Sequence, residues 1–260
     1  MGQGPPGALS ATDGGIAARA RDWHHGAQAA VCDVLDPWEH GTVVKATRFA
    51  DYYDFNLVRV ERDPAMSVAD LIAFADDALA GLAHRRMDFE IVEAAEPLRA
   101  GFEAEGWRTD RLAWMRHVGA APAGPEMEVE AVPYDAVHEL RVAWHREDFP
   151  DQGLGDYLTG AREVALRRGA QILAVRDGGT PVAFAQLERH GESAEIAQVY
   201  VMREHRGAGI GTAMTCAAIE AARDARDLWI VADDEGRPKE LYARLGFRPA
   251  WTASEFLRLP

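Results

Sequence analysis

One segment constrains this chain more than any other: Tyr200-Val201-Met202-Arg203-Glu204-His205-Arg206-Gly207-Ala208-Gly209-Ile210-Gly211. Before it, Ala194 to Met202 is rich in β-branched and aromatic residues, the composition of a strand. After it, Ile210, Ala213, Met214, Ala217, Ala218 and Ala221 recur at the spacing of one helix face. A strand therefore becomes a helix through a glycine-rich turn. Glycine tolerates positive φ and lets a ligand approach the main chain with no Cβ in the way. The free N–H groups and the dipole at a helix N-terminus favour an anion, and a pyrophosphate suits such a turn. A tight turn with no ligand is the other reading of these residues alone. A dinucleotide fold is argued against, because its Gly-x-Gly-x-x-Gly spacing and early βαβ unit are missing. So is the Lys-Ser/Thr pair of a phosphate loop.

The turn lies in the second of two regions, separated by the small-residue stretch Gly119-Ala120-Ala121-Pro122-Ala123-Gly124-Pro125. Beyond it, residues 127–132 alternate like a strand, and residues 134–147 and 153–168 read as helices. Gln171 to Val175 and Pro181 to Leu187 flank the turn Asp177-Gly178-Gly179 as a hairpin. After the glycine turn and its helix come a strand at Leu228 to Ala232, a helix over residues 238–245 closed by Gly246, and a strand from Trp251 to Leu259. The order β-α-α-β-β-β-α-β-α-β predicts an α+β (mixed α/β) domain over residues 127–260.

Together with a second motif, the turn resembles the GNAT superfamily of acyl-CoA N-acyltransferases. Its signature Arg/Gln-x-x-Gly-x-Gly/Ala is matched by Arg206, Gly209 and Gly211, and Leu241-Tyr242-Ala243-Arg244-Leu245-Gly246-Phe247 is similar to the family's second signature. The resemblance covers residues 126–260. It departs at Met202-Arg203, where many members carry a proline. It implies acetyl-CoA, or another acyl-CoA, as co-substrate. Backbone groups of Val199, Tyr200 and Val201 would meet the pantetheine arm. The N–H groups of Arg206, Gly207, Ala208, Gly209, Ile210, Gly211 and Thr212 would cradle the pyrophosphate. Acyl transfer would go to a primary amine by direct attack. Tyr242 is the family's match for the acid that protonates the departing thiolate.

The base is open. Glu195 starts the strand that leads into the turn, which makes it the leading carboxylate. Asp233, Asp234 and Glu235 end the next strand, His190 sits in a turn, and His145, Glu147, Asp148 and Asp151 surround the link between two helices. Ordered water could serve instead. A non-catalytic acyl-CoA sensor or scaffold would keep the glycine turn without needing Tyr242.

The first region echoes the second. Asn56–Val60, Val68–Leu82, Asp88–Val92, Leu98–Glu105 and Arg111–His117 repeat the last five elements, with Gly106-Trp107 standing 140 residues before Gly246-Phe247. The turn's counterpart, Arg62-Asp63-Pro64-Ala65-Met66-Ser67, has no glycine, and Phe102 stands in the place of Tyr242. Residues 15–119 therefore read as a degenerate GNAT-like domain, a scaffold with no second active site; an unrelated α+β domain is the alternative. The expected fold is two GNAT-like domains, each a mostly antiparallel central sheet flanked by helices. Residues 1–14 read as a flexible leader and residues 120–126 as a linker.

Charge and cysteines narrow the partners. The formal net charge of −14 is shared by both halves, with no basic stripe to attract nucleic acid or an anionic membrane. Cys32 and Cys216 lack ligand or disulfide spacing, and His24, His25 and His40 are too scattered for a metal site. The expectation is a cytoplasmic protein that needs no metal and acts on a small-molecule or peptide amine. It would be a monomer with pseudo-dimeric halves or a homodimer.

Overall fold

The computed structural model describes residues 11–260, with side chains from residue 15. The first half runs α1 (Ala11–Val31), β1 (Val34–Trp38), β2 (Gly41–Lys45), β3 (Asn56–Val60), α2 (Val68–Ala78), β4 (Arg85–Phe89), α3 (Val92–Ala95), α4 (Arg99–Ala104) and β5 (Arg108–His117). The second runs β6 (Glu130–Val132), α5 (His138–Asp148), α6 (Tyr157–Arg167), β7 (Gln171–Asp177), β8 (Thr180–His190), β9 (Ser193–Val201), α7 (Ile210–Ala221), β10 (Asp227–Asp233), α8 (Arg237–Arg244) and β11 (Phe247–Arg258). The second half has the element order expected of it. The first adds α1 and the β1–β2 hairpin. The expected leader falls largely on residues 1–10, outside the described residues, and α1 already begins at Ala11.

All eleven strands join one mixed, mostly antiparallel sheet, in the order β1-β2-β3-β4-β11-β5-β10-β9-β8-β7-β6. The mostly antiparallel sheets expected of the two halves are therefore continuous. Strands β1–β4 pair as β7–β10 do: two antiparallel pairs, then a parallel one at β3–β4 and at β9–β10. The last strands are then exchanged. β11 pairs with β4 of the first half, and β5 pairs with β10 of the second. The two exchanged strands run antiparallel beside each other, from Phe247 opposite His117 to Leu257 opposite Arg108. Each half therefore completes the sheet of the other.

Successive strand residues point to opposite faces, so the sheet has two different covers. On one face Ile210, Met214 and Ala218 of α7 and Tyr242 of α8 pack on Ala185, Ile196, Leu228, Ile230 and Phe247. Leu71, Ala75 and Phe102 of α2 and α4 do the same over Val58, Met87 and Phe256. On the other face Trp23 of α1 lies against Trp114, Trp229 and Trp251. Leu140 of α5 packs on Ile172, Phe184 and Tyr200 beside it. Between these second-face helices the strands carry charged residues, and a cavity remains.

Candidate active site

The site begins where two parallel strands part. β9 and β10 are paired only from Ser193–Asp227 to Ile196–Ile230. Beyond that, β9 keeps β8 as its neighbour and β10 keeps β5. A register shift between β8 and β9 at Gln186/Leu187 falls at the same level and bends β9 away. The main-chain edge of residues 197–201 is therefore left free on the β10 side. The corresponding strands of the first half stay together to their ends, and the Glu90 N–H continues the ladder by donating to the Val60 carbonyl at 2.9 Å.

At the end of β9 the chain enters the glycine turn. Gly207 and Gly209 have φ of +83° and +84°, left-handed conformations that favour glycine. The Arg206 N–H donates to the Arg203 carbonyl, but the N–H groups of residues 207–212 have no backbone acceptor among the described residues. Six consecutive donors are thus left unpaired by the backbone at the start of α7, where a helix N-terminus favours an anion. Arg206 itself is held back: its Nε donates to the Val201 carbonyl at 2.9 Å, and its guanidinium pairs with Glu147 at 2.6 Å. The equivalent helix of the first half, α2, is closed by its own side chains. Ser67 accepts from the Asp70 N–H at 3.2 Å, and Asp63 from the Ala65 N–H at 2.9 Å.

On the other face a cavity of about 390 Å³ is walled by both halves. Ala197 and Gln198 of β9 and Val231 of β10, the residues at the parting, line it together with α1, α5 and α6. Most of its charged groups fall in three clusters. Arg86 contacts Asp54, Asp88 and Glu255 at 2.6, 2.9 and 2.6 Å. Arg168 spans Glu188 at 2.5 Å and Glu195 at 3.5 Å. Arg59 reaches Glu61 at 2.9 Å and Glu90 at 3.8 Å. Burial pushes the Glu188 carboxyl up to about 7; Arg168 opposes the shift and Glu195 adds to it. Burial raises Glu255 to about 7 as well, against the pull of Arg86. His24 is held well below its ordinary range by burial and by the surrounding cations, so it is neutral.

The comparisons with known proteins bear on this geometry. Residues 134–247 match the model of the acetyltransferase (GNAT) family. Over these residues the chain resembles that family. That region holds the parted strands, the glycine turn and Tyr242. An uncharacterised N-acetyltransferase of Methanocaldococcus jannaschii is 36% identical over 93 residues, which are 31% of this chain. The chain spans 40% of the length of that relative. Two solved structures share the fold of both halves. A conserved protein of unknown function from Staphylococcus epidermidis has a TM-score of 0.69 at 13% identity, over 88% of this chain and 94% of its own. A GCN5-related N-acetyltransferase from Kribbella flavida has a TM-score of 0.57 at 17% identity, over 93% of this chain and 94% of its own.

Within the matched region the two leading candidates, Tyr242 and Glu195, lie on opposite faces of the sheet. Tyr242 lies on α8 beneath the sheet, with its ring 6.0 Å from that of Phe247, and desolvation raises its hydroxyl to about 12. Glu195 does line the cavity, but donors already hold it: the Trp23 indole N–H at 2.7 Å and Arg168. His145 is buried away from the cavity against Phe149 and Tyr157. Glu147 serves Arg206 and accepts from the Tyr200 hydroxyl at 2.7 Å. Asp234 pairs with Lys239 and Arg111, Glu235 pairs with Arg99, and His190 is exposed. Sequence reasoning missed Glu188, Arg141 and Arg168, and the Arg86 cluster. Glu188 and the Arg86 cluster sit at alternate positions of their strands, as in Arg86 and Asp88 of β4, whereas Arg141 lies on α5 and Arg168 caps the end of α6, with no local signal of their own. Among the described residues no group of three or more His, Cys, Asp or Glu side chains is placed to hold a metal ion. No described helix is long and apolar enough to cross a membrane.

Proposed function

We propose that this chain transfers an acyl group from acyl-CoA to an amine held in the cavity between its halves. The observation that carries the reading is the parting of β9 and β10. It joins six free N–H groups on one side of the sheet to a charged cavity on the other. The N–H groups of residues 207–212 fit a pyrophosphate, and the open edge at Val199, Tyr200 and Val201 fits the amides of a pantetheine arm. Acyl-CoA supplies the activated thioester when bound.

The chain's own groups do the rest. An amine arrives as ammonium and must lose a proton before it can attack. Glu188, with its carboxyl near 7 and facing the cavity, is the acceptor of that proton. Glu195, fastened by Trp23, holds Arg168 in place beside it. Tyr242, at about 12, stays protonated at working pH. Handing its proton fully to a thiolate of pKa about 8.5 would be uphill by about 5 kcal/mol. Its role is to donate a hydrogen bond to the sulfur as negative charge develops there.

The first half keeps one of the two roles a repeat of this kind could have. Its strands remain paired and its helix start is closed, so it binds no acyl-CoA; it walls the cavity with Asp54, Arg59, Arg86, Asp88 and Glu90. The exchanged strands supply within one chain the contact that a dimer would provide, so the protein works as a monomer. Cys32 and Cys216 are free thiols, which fits a reducing cytoplasm.

Thiol release from acetyl-CoA over a panel of small amines tests the reading. Turnover that falls at least about tenfold in Tyr242→Phe supports it. Stabilisation by CoA without turnover of any amine would instead indicate a sensor.

A further inference from the structure

Arg141 stands apart from every other arginine of the cavity. It lies on α5, is 4% exposed and has no carboxylate within ion-pair distance among the described residues. Arg59, Arg86 and Arg168 each have at least two. Its guanidinium is clamped between the rings of Tyr134 and Phe184, 3.9 and 4.5 Å from their centroids. One terminal nitrogen donates to the Gln198 Oε1 at 2.9 Å and the other to the Gln186 Oε1 at 2.8 Å. Gln186 in turn donates to Glu188 at 2.6 Å, which fixes the orientation of that amide.

Those bonds use two of the five N–H groups of a guanidinium. The Nε is buried with no acceptor, and so is the hydroxyl of Tyr134 on the same wall. A buried cation that meets two ring faces and neutral amide oxygens but no carboxylate, with unused donors on a rigid plane, is costly in a folded protein unless a ligand completes it. Planar forks of this kind match a carboxylate.

We infer that Arg141 receives the α-carboxylate of the acceptor, and that the acceptor is a free α-amino acid. This rests on the acyl-transfer reading of the same cavity. Gln198, to which Arg141 is bonded, lies on β9 two residues beyond its last pairing with β10. A carboxylate at Arg141 therefore brings an amine one carbon away to the gap between these strands. Glu188 lies one hydrogen bond further along the same chain of side chains, through Gln186. An amine that lacks the carboxylate would leave Arg141 buried and uncompensated, so the site discriminates against it.

Calorimetric titration of the full chain tests this, with and without saturating CoA. The ligands are the protein amino acids and, for each, the amine that lacks the α-carboxylate. At least one amino acid is expected to bind about 10- to 100-fold more tightly than its decarboxylated amine. Arg141→Met and Arg141→Lys should lose most of that difference, and Tyr134→Phe part of it. The melting temperature of unliganded Arg141→Met should be unchanged or raised, which a purely structural arginine would not allow. The inference is overturned if no amino acid binds, if the amines bind as well, or if Arg141→Met keeps the discrimination. Failure of CoA itself to bind would count against the acyl-transfer reading and leave amino-acid binding at Arg141 as a separate result.

Discussion

Two glycines of the same turn should respond to alanine in opposite directions. Gly209 caps α7 at φ +84°, where an L-residue costs about 1–2 kcal/mol. A Cβ there would sit 3.4 Å from Pro125 Cγ, an ordinary contact, so conformation rather than collision sets the loss. Gly211 lies inside α7 outside the left-handed region, and its Cβ would meet Leu241 and Val201 at 3.9 Å. Alanine over glycine in a helix gains about 0.5–1 kcal/mol. Gly209→Ala should therefore lower stability by about 1–2 kcal/mol, a drop of roughly 2–8 °C in melting temperature for a chain of this size. Gly211→Ala should be neutral or raise it. Urea denaturation at 25 °C, with the m-value checked for constancy, reads both changes. Gly209→Ala should also weaken CoA binding, because relieving its strain re-aims the N–H groups of residues 207–212. A Gly209→Ala protein as stable as the parent, or a Gly211→Ala protein destabilised by more than about 1 kcal/mol, would refute this account of the turn.

Two further predictions concern charge. Glu188 has its carboxyl raised from 4.5 to about 7 in the fold, so the folded chain binds more protons than the unfolded one between those values. Its share of stability is present at low pH and lost as pH rises through about 7, up to about 3 kcal/mol. Glu188→Gln should flatten that slope in pH-dependent denaturation and remove an inflection near 7 from the pH profile of kcat/KM. Arg86→Met leaves Asp54, Asp88 and Glu255 facing one another without their cation. It should cost about 3–5 kcal/mol at pH 8. The loss should shrink at pH 5, where Glu255, already raised to about 7, takes up a proton.

The second half was legible because its signals are local. The helical stripe from Ile210 to Ala221, the glycines of the turn and Gly246 after α8 each act within a few residues. The matching spacing of Gly106-Trp107 and Gly246-Phe247 can also be read from the sequence, and β1–β4 pair in the same senses as β7–β10. The exchange of β5 and β11 was not. Two similar strands can each complete either half, and only packing across the whole chain chooses. α1 was hidden by its run of Ala, Gly and His, and its fixed place comes from Trp23 meeting three other tryptophans far apart in sequence. With α1 unseen, no local pattern brings Arg86 and Glu188 of the strands and Arg141 of α5 to one place. All three line the cavity between the halves.

The central claim is a single acyl-CoA site made where β9 and β10 part. Isothermal titration of the full chain with CoA measures it most directly, through the number of sites. One CoA per chain, bound more weakly by Gly209→Ala, is the expected result. Two per chain would contradict the closed state of β3, β4 and α2, and none would contradict the reading of the glycine turn itself.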